Sequence, residues 1–308
     1  MPRIARSARS TGGLRGAGPA LLHFAGFRYW TASLLPALVG TTLPFWLRPP
    51  GFSFRWLGAV EFLAATVLLH AGLSFLQARF EAGSPGDRPR APLLAGAGVC
   101  IVAACLLGLH LDRGLNLHHG VPRIIFLVYG LGALFTGVLY VAPPFSFCRR
   151  LGGEVVLSVG LGLVPVLGAY LVQVGDITRR VYVAAVPIVL ATALWVWTGE
   201  LASRREDEKT GRGTMVIRFG ARFSGRAVVP ALSVLLYAML VLAVFTASLG
   251  PAALIAVVTV WLAWRAVTVS WEETAHPVRM SEPLRGAAWL HLAVGLVVAA
   301  SSLVARRR

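Results

Sequence analysis

Residues 56–81 read WLGAVEFLAATVLLHAGLSFLQARFE, and this stretch decides the fold. A membrane-crossing helix needs about 20 apolar residues, and the run from Trp56 to Ala78 supplies them with one acid near its start and one just past its end. Backbone groups in lipid must satisfy their own hydrogen bonds, so such a run is a helix and not a strand. Within it His70, Ser74, Gln77 and Glu81 are separated by 4, 3 and 4 residues. At about 100° per residue they form one narrow polar stripe. Lipid would not solvate that stripe, so it is expected to face the inside of a bundle.

Eight further runs have the same character, at 29–47, 92–111, 122–141, 152–174, 181–200, 226–248, 251–271 and 285–305. The chain is 56% hydrophobic and 14% charged, against about a quarter charged in soluble domains. The expected fold is therefore all-α, a polytopic membrane bundle of about nine transmembrane helices with a central cavity open to the cytoplasmic side. Residues 1–22, rich in Arg and Gly, are expected to be a flexible basic tail. Residues 23–308 are expected to form a single transmembrane domain.

The net charge of +16 sets topology here and does not indicate nucleic acid. Arg3, Arg6, Arg9, Arg15 and Arg28 precede the first span, and Arg79, Arg88, Arg90, Arg149, Arg150, Arg204, Arg205 and Lys209 fall in or beside loops on the same side. That bias places the N-terminus in the cytoplasm and the protein in the cell membrane. The three cysteines show neither a metal-ligand spacing nor a disulfide framework.

A second acidic feature mirrors the first. Glu200 and Asp207 lie seven residues apart on one face of the sixth run, with Arg204 between them and Ser203 to one side. Glu81 and Asp87 follow the second run and emerge on the same side of the membrane. Mg²⁺ takes oxygen ligands and commonly binds through one or two carboxylates plus substrate phosphates. If the two helix ends abut, Glu81, Asp87, Glu200 and Asp207 can hold a diphosphate through bridging metal. Solvated pairing of these acids with neighbouring arginines is the competing reading, favoured for Glu206 and Glu208. A transporter is a weaker alternative, because the acids lie at the membrane boundary and not at the midplane.

Three regions resemble the UbiA superfamily of intramembrane prenyltransferases, and within it the 1,4-dihydroxy-2-naphthoate polyprenyltransferase-like branch. They are TASLLPALVG at 31–40, the stretch from YVAPP at 140–144 through LGGE at 151–154 to GAYLVQ at 168–173, and the segment from Glu200 to GRGTMVIRFG at 211–220. The resemblance implies transfer of a polyprenyl group from its diphosphate to an aromatic quinone-precursor acceptor, assisted by Mg²⁺, as in menaquinone biosynthesis. It implies Glu81, Glu200 and Asp207 as catalytic groups. It implies Gln77, Arg79, Arg204, Lys209, Tyr140 and Trp197 around the substrate, the last two through attraction of an allylic cation to their rings. The family's first motif, N-D-x-x-D, reads Gln77, Ala78 and Glu81 here. In the second motif Glu200 and Ser203 replace two aspartates while Asp207 is kept. These departures leave open a non-catalytic homologue that binds an isoprenoid lipid or a partner protein.

Overall fold

The computed structural model describes residues 30–80, 90–119, 123–273 and 281–304. The basic tail, Glu81 and Asp87 lie outside the described residues. Among those described there are helices and turns and no strand. The main helices are α1 (Thr31–Leu47), α2 (Trp56–Phe80), α3 (Arg90–His119), α4 (Arg123–Val141), α5 (Gly153–Val174), α6 (Arg179–Lys209), α7 (Val229–Phe245), α8 (Val260–Glu273) and α9 (Ser281–Leu303). A π turn at Ser224–Val228 leads into α7, and a 3₁₀ segment at Pro251–Thr259 leads into α8. Among the described residues seven helical stretches are long and apolar enough to cross a membrane, and Thr31–Leu47 is a shorter apolar helix.

Two helices outrun the apolar runs that mark them. α3 continues through residues 112–119, past the apolar run at 92–111, and α6 runs 31 residues to Lys209. At 1.5 Å per residue α6 is about 46 Å long, more than the hydrocarbon thickness of about 30 Å. Its polar last turns are good helix formers, and Arg204 pairs with Glu208 one turn on at 3.3 Å. Helix length here follows propensity beyond the apolar run.

The main core joins α1, α5, α6, α7 and α9 with the 3₁₀ segment, around Leu43, Tyr170, Ile188, Leu194, Leu236 and Leu290. α1 lies against α5, and α5 against α6. The approach of α1 to α5 is at backbone distance: a Cβ at Gly40 would strike the Val166 carbonyl. α1 carries two internal prolines, Pro36 and Pro44, and Thr41 and Thr42 hydroxyls donate to the carbonyls of Ala37 and Leu38 one turn earlier.

At the end of the bundle away from the acids, Gln173 clamps the start of α2. Its Oε1 accepts the Arg55 N–H at 3.0 Å and its Nε2 donates to the Arg55 carbonyl at 3.2 Å. Burial lowers the Arg55 pKa from its ordinary value, against the opposing charge of Glu61. α2 packs chiefly on α3, and α2, α3, α4 and α5, with Ser33 of α1, enclose a cavity. That cavity belongs to the N-terminal half of the chain and does not lie between helices two and six.

Candidate functional site

The C-terminus of α2, the N-terminus of α5 and the C-terminus of α6 meet at one end of the bundle through two turns. After α6, Gly211 takes a left-handed φ of +67° and reverses the chain. The Arg212 N–H returns to the Asp207 carbonyl at 3.0 Å, and the Gly213 N–H donates to the Arg149 carbonyl at 2.8 Å. Arg149 in turn donates from Nη2 to the Phe80 carbonyl at 3.1 Å, at the last described residue of α2. The segment that begins with Glu81 therefore leaves from a point tied to the turn that follows α6.

The acids of this end have specific partners. Asp207 is 4% exposed. Its Oδ1 receives Arg212 Nη1 at 3.2 Å, and its Oδ2 receives the Ser203 hydroxyl at 2.7 Å. Ser203, read from sequence as a lost ligand, is a donor to the retained one. Glu200 lies on the same helix face, 7% exposed, and its Oε2 is buried with no hydrogen-bond partner. Glu154, in the first turn of α5, accepts the Met215 N–H on Oε1 at 2.6 Å and leaves Oε2 buried without a partner. The neighbouring Arg149 goes to the Phe80 carbonyl and Arg150 Nη2 to the Pro144 carbonyl. Glu154, Glu200 and Asp207 interact electrostatically, and Arg212 is the compensating cation beside Glu200 and Asp207.

Other expected site residues take different places. Arg204 is directed to Glu208 on the outer side of α6, and Lys209 is exposed. Arg79 keeps a buried Nε with no partner, its guanidinium 5.6 Å from the Phe80 ring centre. Arg212 and Glu154 were not singled out from sequence as site residues. The only available hint was that Arg212 and Glu154 both stand within the segments that resemble the family. α2 and α6 share no extended interface, because α5 lies between them. The two helix ends are instead linked through Arg149 and the turn after α6. No group of three or more His, Cys, Asp or Glu side chains among the described residues is placed to hold a metal ion.

Beside the acidic end lies the cavity, about 390 Å³ in volume. The inward stripe on α2 is as expected: His70, Ser74 and Gln77 all line it, and Tyr140 of α4 faces them. Val156 and Leu157 of α5 are in the same wall, within one turn of Glu154. Most of the remaining wall is apolar, from Leu69 and Leu73 to Leu134, Leu161 and Pro165. Trp197 is not part of it. α6 contributes nothing to this wall, and Trp197 packs at 6% exposure in the main core with its Nε1 unpartnered.

Residues 86–289 match the model of the UbiA prenyltransferase family. The UbiA prenyltransferase domain-containing protein 1 of Mus musculus is 30% identical over 125 residues, 41% of this chain and 34% of the mouse protein. The match thus spans about a third of that relative's length. An apo UbiA homolog from Aeropyrum pernix K1 superposes with a TM-score of 0.67 at 17% identity, covering 90% of this chain and 98% of that one. A UbiA homolog from Archaeoglobus fulgidus bound to GPP and Mg²⁺ gives a TM-score of 0.54 at 17% identity, covering 90% and 99%. At these identities the likeness establishes the fold.

Proposed function

The chain belongs to the UbiA prenyltransferase family, and from that premise we propose an integral membrane prenyltransferase that moves a polyprenyl group from its diphosphate to an aromatic acceptor. The observation that carries the reading is the apolar cavity of about 390 Å³, lined by the α2 stripe and by Val156 and Leu157, within one turn of Glu154. The acceptor is proposed to be a quinone precursor of the 1,4-dihydroxy-2-naphthoate class. The arginine bias supports placing the acidic end on the cytoplasmic side of the cell membrane.

The polyprenyl tail lies along the apolar walls, where its burial contributes about 25 cal/mol per Å². Gln77 and Arg79 meet the diphosphate at the end of α2. The unpartnered Arg79 Nε is a buried donor suited to an anion. Arg212, locked on Asp207, takes the role that sequence assigned to Arg204 and Lys209. Mg²⁺ fits the donor set, since Glu200 Oε2 is a buried oxygen with no protein partner and one or two carboxylates suffice beside phosphates. Glu200 is the proposed ligand, joined by Glu81 and Asp87, with Asp207 orienting Arg212. When bound, the ion supplies Lewis-acid stabilisation of the departing diphosphate. The Tyr140 ring faces the allylic carbon as positive charge develops there, and the cavity walls exclude water from it.

The test is an incubation of purified protein with Mg²⁺, labelled geranyl diphosphate and a panel of aromatic acceptors. The expected result is Mg²⁺-dependent product, reduced about 100-fold in Glu200→Gln by loss of electrostatic stabilisation. Full activity in that variant removes Glu200 from the site. A second reading, a non-catalytic isoprenoid binder, is favoured by Ser203 and Arg212 already engaging both oxygens of Asp207. Tight geranyl diphosphate binding with no product from any acceptor identifies it.

A further inference from the structure

The wall of the cavity contains one side-chain pair that the diphosphate chemistry does not use. Ser33 of α1 and His70 of α2 meet with Oγ and Nδ1 2.9 Å apart, both buried and both lining the cavity. The Ser33 hydroxyl also lies 3.3 Å from the Trp30 carbonyl. A serine has one proton to donate. With that proton on Trp30, the oxygen accepts Nδ1–H, and Nε2 is left with a free lone pair. Nε2 has no partner among the described residues and, unlike both ring nitrogens of His291, is not fully buried. The two buried histidines among the described residues thus differ. His291 packs at 5.3 Å beside the Trp195 ring in the core, whereas His70 has an open nitrogen at a cavity wall.

The surroundings match a flat ring. Gly108, Gly130 and Gly160, from α3, α4 and α5, line the same cavity, and a Cβ on any of them would meet nothing within 4 Å. Thr66, another polar group of the wall, already donates to the Phe62 carbonyl at 2.8 Å. A buried polar atom without a partner costs free energy, and a ligand that supplies the missing hydrogen recovers it.

We propose that the Ser33–His70 pair recognises the acceptor, with His70 Nε2 accepting a hydroxyl of a phenolic or naphtholic ring. This inference rests on the prenyl-transfer reading and names the residue that selects its second substrate. Ser33 is a positioning residue: it holds the imidazole and sets which nitrogen is bare. A ring ether of the same shape has no hydrogen to give and is rejected, since a site built around one hydrogen bond discriminates against the analogue that lacks it.

The test is direct binding to the full detergent-purified chain under anaerobic conditions. The probes are 1,4-naphthalenediol, its dimethyl ether, and geranyl diphosphate with Mg²⁺ as the control for an intact protein. In the wild type the diol is expected to bind about tenfold more tightly than the ether, and His70→Ala to lose about that factor for the diol alone. Ser33→Ala is expected to lose about threefold, and His70→Gln, which keeps an acceptor, to stay within about threefold of wild type. Geranyl diphosphate affinity stays unchanged throughout. Equal binding of diol and ether, or a His70→Ala variant that binds the diol like wild type, overturns the proposal. If His70→Ala fails to bind geranyl diphosphate, Ser33→Ala decides: an unchanged diol affinity there overturns it. A wild type that binds geranyl diphosphate but not the diol overturns this inference and leaves the prenyl-diphosphate reading standing. Binding of neither overturns both.

Discussion

α6 and α3 are both long apolar helices, yet they are built to opposite ends. Of the most apolar stretch of α6, 61% is buried within the protein, and of α5, 56%; for α3 the share is 11% and for α2 28%. The helices of the first pair touch neighbours on most sides. Those of the second pair have one protein face, one lipid face and a cavity between them. In a bilayer the hydrophobic effect does not drive helices together, so association depends on close packing and hydrogen bonds. Where side chains are small and backbones approach, as at Gly40 on Val166, the bundle is tight. Where glycines face empty space, as at Gly108 and Gly130, a ligand-sized volume remains. The tight half carries the acids, and the loose half leaves a ligand-sized volume.

This contrast can be broken by mutation. The largest effect is expected for Asp207→Ala, which removes the buried carboxylate that accepts from both Arg212 and Ser203; removal of one partner of such a buried pair costs about 3–5 kcal/mol. A fall in the thermal unfolding midpoint in detergent measures it, and an unchanged midpoint would show that the pair is solvated. Gly40→Ala is next. It forces a Cβ against the Val166 carbonyl, where overpacking costs about 1–3 kcal/mol, and because the obstacle is backbone the upper end is expected. Glu154→Ala removes the acceptor of the Met215 N–H, a charge-assisted bond contributing about 2 kcal/mol. Its more specific readout is faster tryptic cleavage after Arg212, as the turn loosens. The smallest effect belongs to Gly108→Ala, expected within about 0.5 kcal/mol of wild type because nothing lies in its way. If Gly108→Ala destabilised as much as Gly40→Ala, the two halves would not differ as described.

How much of the site could be read from sequence depends on the kind of constraint. The His70, Ser74 and Gln77 stripe was legible because polar groups on an apolar helix have only one tolerable direction, inward. The shared face of Glu200 and Asp207 was legible because seven residues make about two turns. Their partners were not. Ser203 looked like a missing acid and is Asp207's donor. Arg204 looked central and points to Glu208, while Arg212 reaches Asp207 only because Gly211 reverses the chain. Trp197 sits at a plausible depth, but α6 meets no part of the cavity wall. The residues that resemble the family located Glu154 and Arg212 without indicating what either one touches.

The chain alone determines that this protein is a bundle of membrane-length helices, which way each polar stripe turns, and which end gathers the charge. Those are local properties, set by the cost of exposing polar groups to lipid and by the 3.6-residue period. Only the tertiary structure decides that α5 stands between α2 and α6, that the cavity belongs to α2–α5, and which oxygens at the acidic end are left unpartnered. Partner choice depends on contacts between residues distant in sequence, and these are set by where glycines allow backbones to meet and turns to reverse.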